Sequence, residues 1–400
     1  MQNIRKLTDN LFWIGANDRR IEKFEGVYEL ESGMSYNSYF GDFGETVLMD
    51  TADKAVAKQF FENLESCLAG RSLDYVIVHH MEPDHSATLI DLLHHHTETK
   101  VVCNAKTAQI ISQFFPQLDI SSRTVLVKDG DTISIGSHEF KFLFAPMVHW
   151  PEVMMSFDTK DGTLFSADAF GSYGAIDGSV FADGHDFESE LKDEARRYYT
   201  NIVGKYGMQT VNVLKKASEL DIKMICPLHS YMWRKDLDKI ISCYQKWGSY
   251  SPEKQGVLIV EGSIYGNTAN ACEVLATELD SRGIDSCIYD ASVKPASEFI
   301  AAAFKYSHIV VAAPTYNMNI YSPVEHVLTE LAAHGIKNRT CAVIENGSWA
   351  PQSGKLIREM LAKLPGTTVL EEGVTIKSAP DKDTPDSVAK LADAIAATLV

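Results

Sequence analysis

One short segment carries much of the information about the fold, the run DYVIVHHMEPDH at residues 74–85. Its first half is an apolar run of the kind that forms a buried strand. Its second half places His80, Glu82, Asp84 and His85 directly after that run. Burying four such polar, metal-binding side chains in a core would cost free energy unless each had a hydrogen-bonding or charged partner. Beyond the end of a strand they can converge on one point, which predicts a metal site at the edge of a sheet.

Three later segments repeat this arrangement, because in each one a potential metal ligand follows an apolar run. KFLFAPMVH ends at His149, TLFSAD ends at Asp168 and MICPLH ends at His229. A sheet gathers residues that are distant in sequence at one edge, so these side chains are expected to join the first four. For any one of them alone, an unrelated polar residue at the end of a loop is the alternative interpretation.

The C-terminal part of the chain alternates strands with helices after a polar, turn-prone segment at 248–256, which is the candidate linker. The predicted strands are 256–263, 285–291, 307–316, 340–348 and 367–376, and the predicted helices are 269–282, 296–306, 323–334, 354–364 and 385–399. This alternation is typical of a doubly wound parallel sheet. The N-terminal part mixes short strands with helices, such as 55–69 and 188–220, which indicates a layered α/β or α+β domain. We therefore predict domains at 1–250 and 255–400.

Three loops of the C-terminal part are candidates for binding FMN. The first follows a strand and opens a helix, where backbone N–H groups can bind a phosphate. It is neither GxGxxG nor a Walker A loop, so it does not indicate a dinucleotide or ATP, and it resembles the phosphate loop of flavodoxins. The other two follow the third and fourth strands, where doubly wound sheets bind ligands. The candidate residues are Ser263, Ile264, Tyr265, Gly266, Asn267 and Thr268, then Pro314, Thr315, Tyr316 and Asn317, and finally Asn346, Gly347, Ser348 and Trp349. Tyr316 or Trp349 could stack on the isoalloxazine ring.

The N-terminal part resembles the metallo-β-lactamase fold, an αββα sandwich whose hydrolases usually carry HxHxDH and bind zinc. In this sequence Glu82 stands in place of the second histidine of that motif. A further carboxylate makes the site harder and more anionic, which suits non-haem iron better than zinc. Together with the flavodoxin-like part, essentially the whole chain resembles the flavodiiron proteins, also called A-type flavoproteins.

The resemblance implies a set of ligands, two cofactors and an activity. The two iron ions would be bound by His80, Glu82 and His149 on one side and by Asp84, His85 and His229 on the other, with Asp168 as the bridge. The three loops would bind FMN. The family reduces dioxygen to water, nitric oxide to nitrous oxide, or both. Electrons pass from a partner protein such as rubredoxin to FMN and then to the iron pair.

The resemblance also implies a head-to-tail homodimer, or a dimer of such dimers, because FMN and iron lie far apart within one chain of the family.

Two positions depart from the family pattern or vary within it. Ser230 follows His229 where a glycine is expected, and the position of His85 is not a ligand in some relatives.

Two other functions remain open from the sequence. One is a zinc-dependent hydrolase of the metallo-β-lactamase fold with a flavodoxin-like appendage, and the other is an electron carrier with a vestigial metal site.

Composition excludes several classes of protein. Lys and Arg total 37 against 54 Asp and Glu, a net charge of -17 that disfavours a nucleic-acid partner. The 7 cysteines are scattered and form no CxxC pair, which argues against a disulfide framework and for a reducing cytoplasm. We find no signal peptide at the N-terminus and no apolar run near the ~20 residues of a membrane span, so no membrane partner is expected.

Overall fold

The computed structural model describes residues 1–399 and divides the chain into two compact units, the first at Met1–Gln245 and the second starting at Lys246. The strands of the first unit are β1 (Arg5–Lys6), β2 (Leu11–Trp13), β3 (Ala16–Asp18), β4 (Lys23–Phe24), β5 (Tyr28–Glu29), β6 (Met34–Tyr36), β7 (Tyr39–Asp42), β8 (Thr46–Met49), β9 (Tyr75–Ile77), β10 (Lys100–Cys103), β11 (Thr124–Leu126), β12 (Thr132–Ile135), β13 (His138–Phe144), β14 (Met154–Asp158), β15 (Thr163–Phe165) and β16 (Met224–Cys226). The helices from its start to the boundary are α1 (Ala57–Leu68), α2 (Pro83–Ser86), α3 (Leu89–His95), α4 (Ala105–Phe114), α5 (Lys192–Tyr198), α6 (Gly207–Ala217) and α7 (Leu237–Gly248).

The first unit is built on two sheets that face each other. The seven-stranded sheet has the order β1-β2-β7-β8-β9-β10-β11, and the five-stranded sheet has the order β12-β13-β14-β15-β16. Buried side chains of both sheets form a single hydrophobic cluster, in which Val47 and Ile77 of the first sheet join Phe142 and Phe165 of the second. The layered metallo-β-lactamase-like fold expected from the sequence is therefore confirmed.

Parallel pairing explains how the predicted metal ligands reach one edge. In the seven-stranded sheet, β9 runs parallel to β8 and β10, and His80 follows the end of β9. In the five-stranded sheet, β15 runs parallel to β16, with Leu164 paired to Ile225. Because these two strands end side by side, the residues that follow them, Asp168 and His229, emerge close together.

The stretch 188–220, predicted as helical, is broken in the structure. It consists of a π-helix at Phe187–Leu191, α5, a second π-helix at Tyr199–Val203, a 3₁₀ turn at Gly204–Tyr206, and α6. Every residue from Ala195 to Gly204 is buried, so this segment needs partners on all sides rather than on one helical face. Wide turns redistribute side chains around the axis, and they often occur near functional sites.

The second unit is a doubly wound domain. Its strands are β17 (Lys254–Glu261), β18 (Ser286–Asp290), β19 (Tyr306–Tyr316), β20 (Asn319–Ile320), β21 (Thr340–Asn346) and β22 (Thr368–Ile376), and its helices are α8 (Asn267–Asp280), α9 (Ala296–Lys305), α10 (Ser322–Ala333), α11 (Ser353–Leu361) and α12 (Thr384–Ala396). The sheet has the order β18-β17-β19-β21-β22, with these strands parallel. This is the strand order of flavodoxin-like folds, and it confirms the predicted fold of this half.

The elements of the second unit follow the sequence prediction closely. Each predicted strand and helix is present, with ends that move by a few residues. Tyr306 was predicted as the last residue of a helix, but it begins β19, where it pairs with Lys254. No helix within residues 1–399 combines the length and the apolar character that a membrane crossing requires.

Candidate metal centre and flavin site

The first unit brings all seven predicted ligands together in two adjoining clusters. The ligand atoms of His80, Glu82, His149 and Asp168 lie within 4.8 Å of one another, and so do those of Asp84, His85 and His229. This grouping matches the division into two metal positions that the resemblance implies.

Asp168 stands between the two clusters. Its Oδ2 lies 3.3 Å from His80 Nε2 and 3.2 Å from His149 Nε2. Its Oδ1 lies 3.2 Å from His85 Nε2 and 3.7 Å from His229 Nε2. Each oxygen of this carboxylate therefore faces a different pair of imidazoles, which is the arrangement required of a carboxylate that bridges two ions.

A short helix places two ligands of the second cluster. Glu82 precedes α2, and Pro83 begins it, where a fixed φ and a missing N–H group favour helix initiation. His85 N donates to Glu82 O over 3.0 Å, which closes the first turn. As a result Glu82 points to one cluster while Asp84 and His85 point to the other.

The two clusters are buried but have one open edge. His80, His85, Asp168 and His229 are buried side chains. Glu82, His149 and Asp84 keep exposed fractions of 15%, 11% and 11% of their side chains. A small molecule would therefore reach the centre from the side of these three residues.

The charges inside the centre depend strongly on one another. Burial opposes protonation of His80, but the negative charge of Asp168 and the contact with Glu152 hold its pKa well above the usual value. For His149, burial is likewise outweighed by the nearby carboxylates of Asp168 and Glu82, which raise its pKa to about 9. The same imidazoles hold the pKa of Asp168 well below its usual value despite burial. The buried carboxylates thus require compensating positive charge.

The donor set fits a pair of metal ions. Several buried polar atoms in the centre have no hydrogen-bond partner, among them both carboxylate oxygens of Asp84, Oδ1 of Asp168 and Nε2 of His149. Buried polar atoms are normally paired, so orphaned atoms that converge on one space need an explanation. Two cations at these positions would satisfy those atoms and balance the carboxylates.

Sequence reasoning missed the residues that orient the ligands. His80 Nδ1 lies 2.8 Å from Glu152 Oε1, and His229 Nδ1 lies 2.7 Å from the backbone oxygen of Ser35. Asp50 follows the apolar strand β8 in the same way that the ligands follow theirs, but its carboxylate contacts the backbone and ring of His79 instead. The only signal for Glu152 was its position three residues after His149.

Aromatic rings pack around the imidazoles. The ring centroids of Phe24, Tyr36 and Tyr198 lie 5.4, 5.8 and 5.6 Å from the centroid of the His229 ring. Trp150 packs edge-on against His80 at 5.3 Å. These rings keep water away from the ligands and restrict the imidazoles to one orientation.

The second unit contains a cavity of about 570 Å³ at the carboxyl ends of its strands. Thirteen of the fourteen predicted flavin contacts line this cavity. They are Ser263, Ile264, Tyr265, Asn267, Thr268, Pro314, Thr315, Tyr316, Asn317, Asn346, Gly347, Ser348 and Trp349. The remaining predicted residue, Gly266, does not line it, and Met318, Ala350 and Ser378 are lining residues that the prediction omitted.

The shape and chemistry of this cavity suit a flavin nucleotide. Gly266 adopts φ 86°, in the left-handed region, and α8 begins at the next residue, so the N-terminus of the helix is available to a phosphate. Tyr265, Trp349 and Tyr316 expose 91%, 88% and 47% of their surface at the rim. A planar ring system could stack on such aromatic side chains and cover them.

Comparison with known proteins identifies the family. A family model described as ODP family beta lactamase matches residues 35–230. The anaerobic nitric oxide reductase flavorubredoxin of Vibrio vulnificus is 30% identical over 347 residues, which are 85% of this chain and 69% of the relative. The chain belongs to the flavodiiron protein family. The nitric oxide reductase of Moorella thermoacetica is 26% identical and covers 94% of this flavodiiron protein, with 93% of its own length aligned.

A solved structure agrees with this assignment at the level of the fold. The rubredoxin oxygen:oxidoreductase of Desulfovibrio gigas superimposes with a TM-score of 0.93 at 23% identity, covering 99% of this chain and 98% of that one. The family establishes that the protein is an oxidoreductase. The alternatives of a zinc hydrolase and of an electron carrier without enzymatic activity do not agree with that class.

Proposed function

We propose that this flavodiiron protein reduces dioxygen to water, nitric oxide to nitrous oxide, or both. The observation that carries the proposal is the position of Asp168, whose two oxygens face two separate clusters of histidine and carboxylate. The names of the relatives support both substrates, since one is an oxygen oxidoreductase and others are nitric oxide reductases.

Two iron ions and one FMN are the cofactors of the proposal. His80, Glu82 and His149 would bind one ion, Asp84, His85 and His229 the other, and Asp168 both. FMN would occupy the cavity lined by the 263–268, 314–317 and 346–349 loops. When bound, these groups would supply a path for electrons from an external donor such as rubredoxin through FMN to the iron pair.

The chain's own residues would position the substrate and exclude water. The open edge at Glu82, Asp84 and His149 would admit a diatomic molecule, while Trp150 and the rings around His229 pack against the imidazoles on the other sides. At the flavin cavity, the N-terminus of α8 would bind the phosphate, and Gly266 would set the turn that leads into this helix.

Ser230 is compatible with the proposed ligand role of His229. It adopts φ 63°, a left-handed conformation that explains why a glycine is expected there. Its N–H donates to Ser35 Oγ over 2.6 Å, and the Ser35 backbone oxygen contacts His229 Nδ1. The serine therefore keeps the turn that orients His229. For His85, the distance of 3.2 Å from Nε2 to both Asp84 and Asp168 supports its role as a ligand.

The partners in the proposal are an electron-donor protein and a second copy of the chain. A head-to-tail homodimer, or a dimer of such dimers, in the cytoplasm would cover the exposed aromatic rim of Tyr265 and Trp349.

Gas consumption by the purified holoprotein tests the function. We expect chemically reduced rubredoxin to support uptake of dioxygen, nitric oxide or both under otherwise anaerobic conditions, with two irons and one FMN per chain. Protein that contains zinc instead of iron, or that consumes neither gas while its flavin is reduced, would contradict the proposal.

A further inference from the structure

The two halves of the candidate metal centre have equivalent inner ligands but different outer contacts. Each half offers two imidazoles and one carboxylate, and both share Asp168. The groups behind the ligands are therefore a source of difference between the two metal positions. The decisive contacts are those of the imidazole nitrogens that face away from the centre.

In the first half, a buried carboxylate supports His80. Glu152 Oε1 lies 2.8 Å from His80 Nδ1 and accepts a hydrogen bond from Met81 N over 3.0 Å. Glu152 is 1% exposed, and its other oxygen, Oε2, is buried without a hydrogen-bond partner. Asn104 Nδ2 donates to the backbone oxygen of Glu152 over 2.6 Å, and the Asn104 side chain caps α4. The backbone of Glu152 is thus tied to the N-terminus of α4, while His80 and Met81 contact its carboxylate.

In the second half, no carboxylate stands behind the corresponding nitrogens among the described residues. His229 Nδ1 contacts the neutral backbone oxygen of Ser35 at 2.7 Å. His85 Nδ1 is buried without a hydrogen-bond partner. The imidazoles of this half are therefore held by a weaker acceptor and by the packing of aromatic rings.

We propose that Glu152 is a positioning residue that makes the His80 half the tighter of the two iron sites. A carboxylate behind a metal-bound imidazole fixes the ring with Nε2 towards the ion and makes the ligand more basic. The hydrogen bond is also stronger than one to a neutral carbonyl, because the acceptor is charged. The unpaired Oε2 adds negative charge that an iron ion bound by His80 would offset. This inference rests on the proposed diiron function.

Release of iron from the holoprotein to a ferrous chelator tests the inference. For the wild type, we expect two phases of similar amplitude under anaerobic conditions, the slow one from the His80 half. Glu152→Gln keeps an oxygen that can accept from His80 and Met81 but removes the charge. It should accelerate the slow phase by about 10–100-fold and leave the fast phase unchanged. Glu152→Asp, which retains a carboxylate, should release iron more slowly than Glu152→Gln.

Three controls make the outcome decisive. Glu139→Gln, at an exposed position of β13, should change neither phase. His85→Ala should accelerate or abolish only the fast phase, which assigns the phases to the two halves. Far-UV circular dichroism and the thermal midpoint of each variant report whether the first unit, which contains residue 152, is folded. If Glu152→Gln binds two irons and its slow phase matches that of the wild type, the inference is wrong while the proposed function stands. A wild type that binds no iron instead refutes the proposed function.

A second measurement separates a role in positioning from one in folding. Negative charge behind His80 stabilises the more oxidised iron, so Glu152→Gln should shift the reduction potential of the iron pair to a more positive value. An unchanged potential in a fully loaded Glu152→Gln variant would also overturn the inference.

Discussion

At the scale of single residues, Asp168 is the side chain on which the proposed chemistry depends most. Each of its oxygens faces one cluster, at 3.2 Å from His149 Nε2 and at 3.2 Å from His85 Nε2. Another carboxylate cannot replace it, because among the imidazoles Glu82 contacts His80 and His149, whereas Asp84 contacts His85 and His229. The residue should therefore control the occupancy of both metal positions.

Asp168→Ala should abolish reductase activity and keep FMN. The loss of the shared ligand should lower activity by more than about 100-fold, beyond the effect of removing an outer contact. The flavin remains because its cavity is built from residues of the second unit. Gas uptake, iron content and flavin absorbance of the purified variant measure these effects. Asp221→Ala, at an exposed carboxylate, is the control, and full activity in the Asp168 variant would disprove the bridging role.

A second residue, His308, should make the stability of the second unit depend on pH. Burial lowers its pKa to about 4, and its ring contacts Ser307 Oγ at 2.8 Å and Thr398 Oγ1 at 3.0 Å. In the unfolded chain its pKa is about 6.5. Between these values the unfolded state binds the additional proton, so stability falls as pH decreases from about 6.5 towards 4.

His308→Gln should remove part of this dependence. We expect the thermal midpoint of the wild type to fall more steeply than that of the variant between pH 7 and 4.5, and the two slopes to agree above pH 7. His326, at an exposed position of α10, provides the matched substitution His326→Gln. Equal slopes for wild type and His308→Gln would show that this imidazole does not titrate as described.

The residues of the metal centre were predictable because each follows an apolar run at the end of a strand. Asp50 shows the limit of that pattern. It also follows such a run, yet its side chain contacts His79 rather than the centre. Glu152 could not be assigned from the sequence, because its role depends on a contact with His80 across 72 positions of the chain. Such pairings are set by tertiary packing, which periodicity does not encode.

At the scale of secondary-structure elements, the turn before α8 determines whether a phosphate can approach the helix. Gly266 precedes the helix at φ 86°, and its N–H donates to Ser263 Oγ over 3.1 Å. A Cβ atom added to Gly266 would meet no other heavy atom within 4 Å. A side chain at position 266 would therefore meet no steric obstacle. A substitution would instead affect binding through the left-handed backbone conformation and through any charge that it adds.

Gly266→Asp should weaken FMN binding more than Gly266→Ala. Both substitutions impose a side chain on a left-handed residue, at a cost of about 1–2 kcal/mol. Aspartate also places a negative charge near the phosphate, which should raise the dissociation constant by a further factor of about 10. Fluorescence titration of the flavin-free protein with FMN measures both constants. Equal constants for wild type and Gly266→Asp would count against phosphate binding by this loop.

Elements of the second unit were easier to predict than those of the first. The five parallel strands were predicted correctly because apolar strands alternate regularly with amphipathic helices. Strands and helices have different side-chain periods, so the two can be told apart in the sequence. The stretch 188–220 has a helical composition, but its second π-helix, at Tyr199–Val203, begins where Tyr198 and Tyr199 are both fully buried. A helical pattern predicts burial on one face only and cannot predict that successive residues are all buried. The interruptions of the helix within 188–220 were therefore missed.

At the scale of the whole molecule, the two candidate cofactor sites belong to different compact units. The seven proposed iron ligands lie before residue 246, and the residues lining the flavin cavity lie after it. Each unit has a hydrophobic core of its own. Each site should therefore form without the other.

Removal of one cofactor should leave the other bound. Dialysis against an iron chelator should give protein with unchanged flavin content and no gas uptake. Removal of FMN at high salt should leave the iron content within about 10% of its starting value, since no iron ligand of the proposal lies in the second unit. Iron and flavin assays on the same samples make the comparison. Joint loss of both cofactors would contradict independent sites.

The exposed aromatic rim of the flavin cavity has a practical consequence for handling the protein. Tyr265 and Trp349 place large apolar rings in solvent when nothing covers them. Contiguous apolar surface of this kind promotes aggregation. Yield and solubility during expression should thus follow the supply of riboflavin, and cultures or lysates supplemented with the nucleotide should give the more homogeneous preparation.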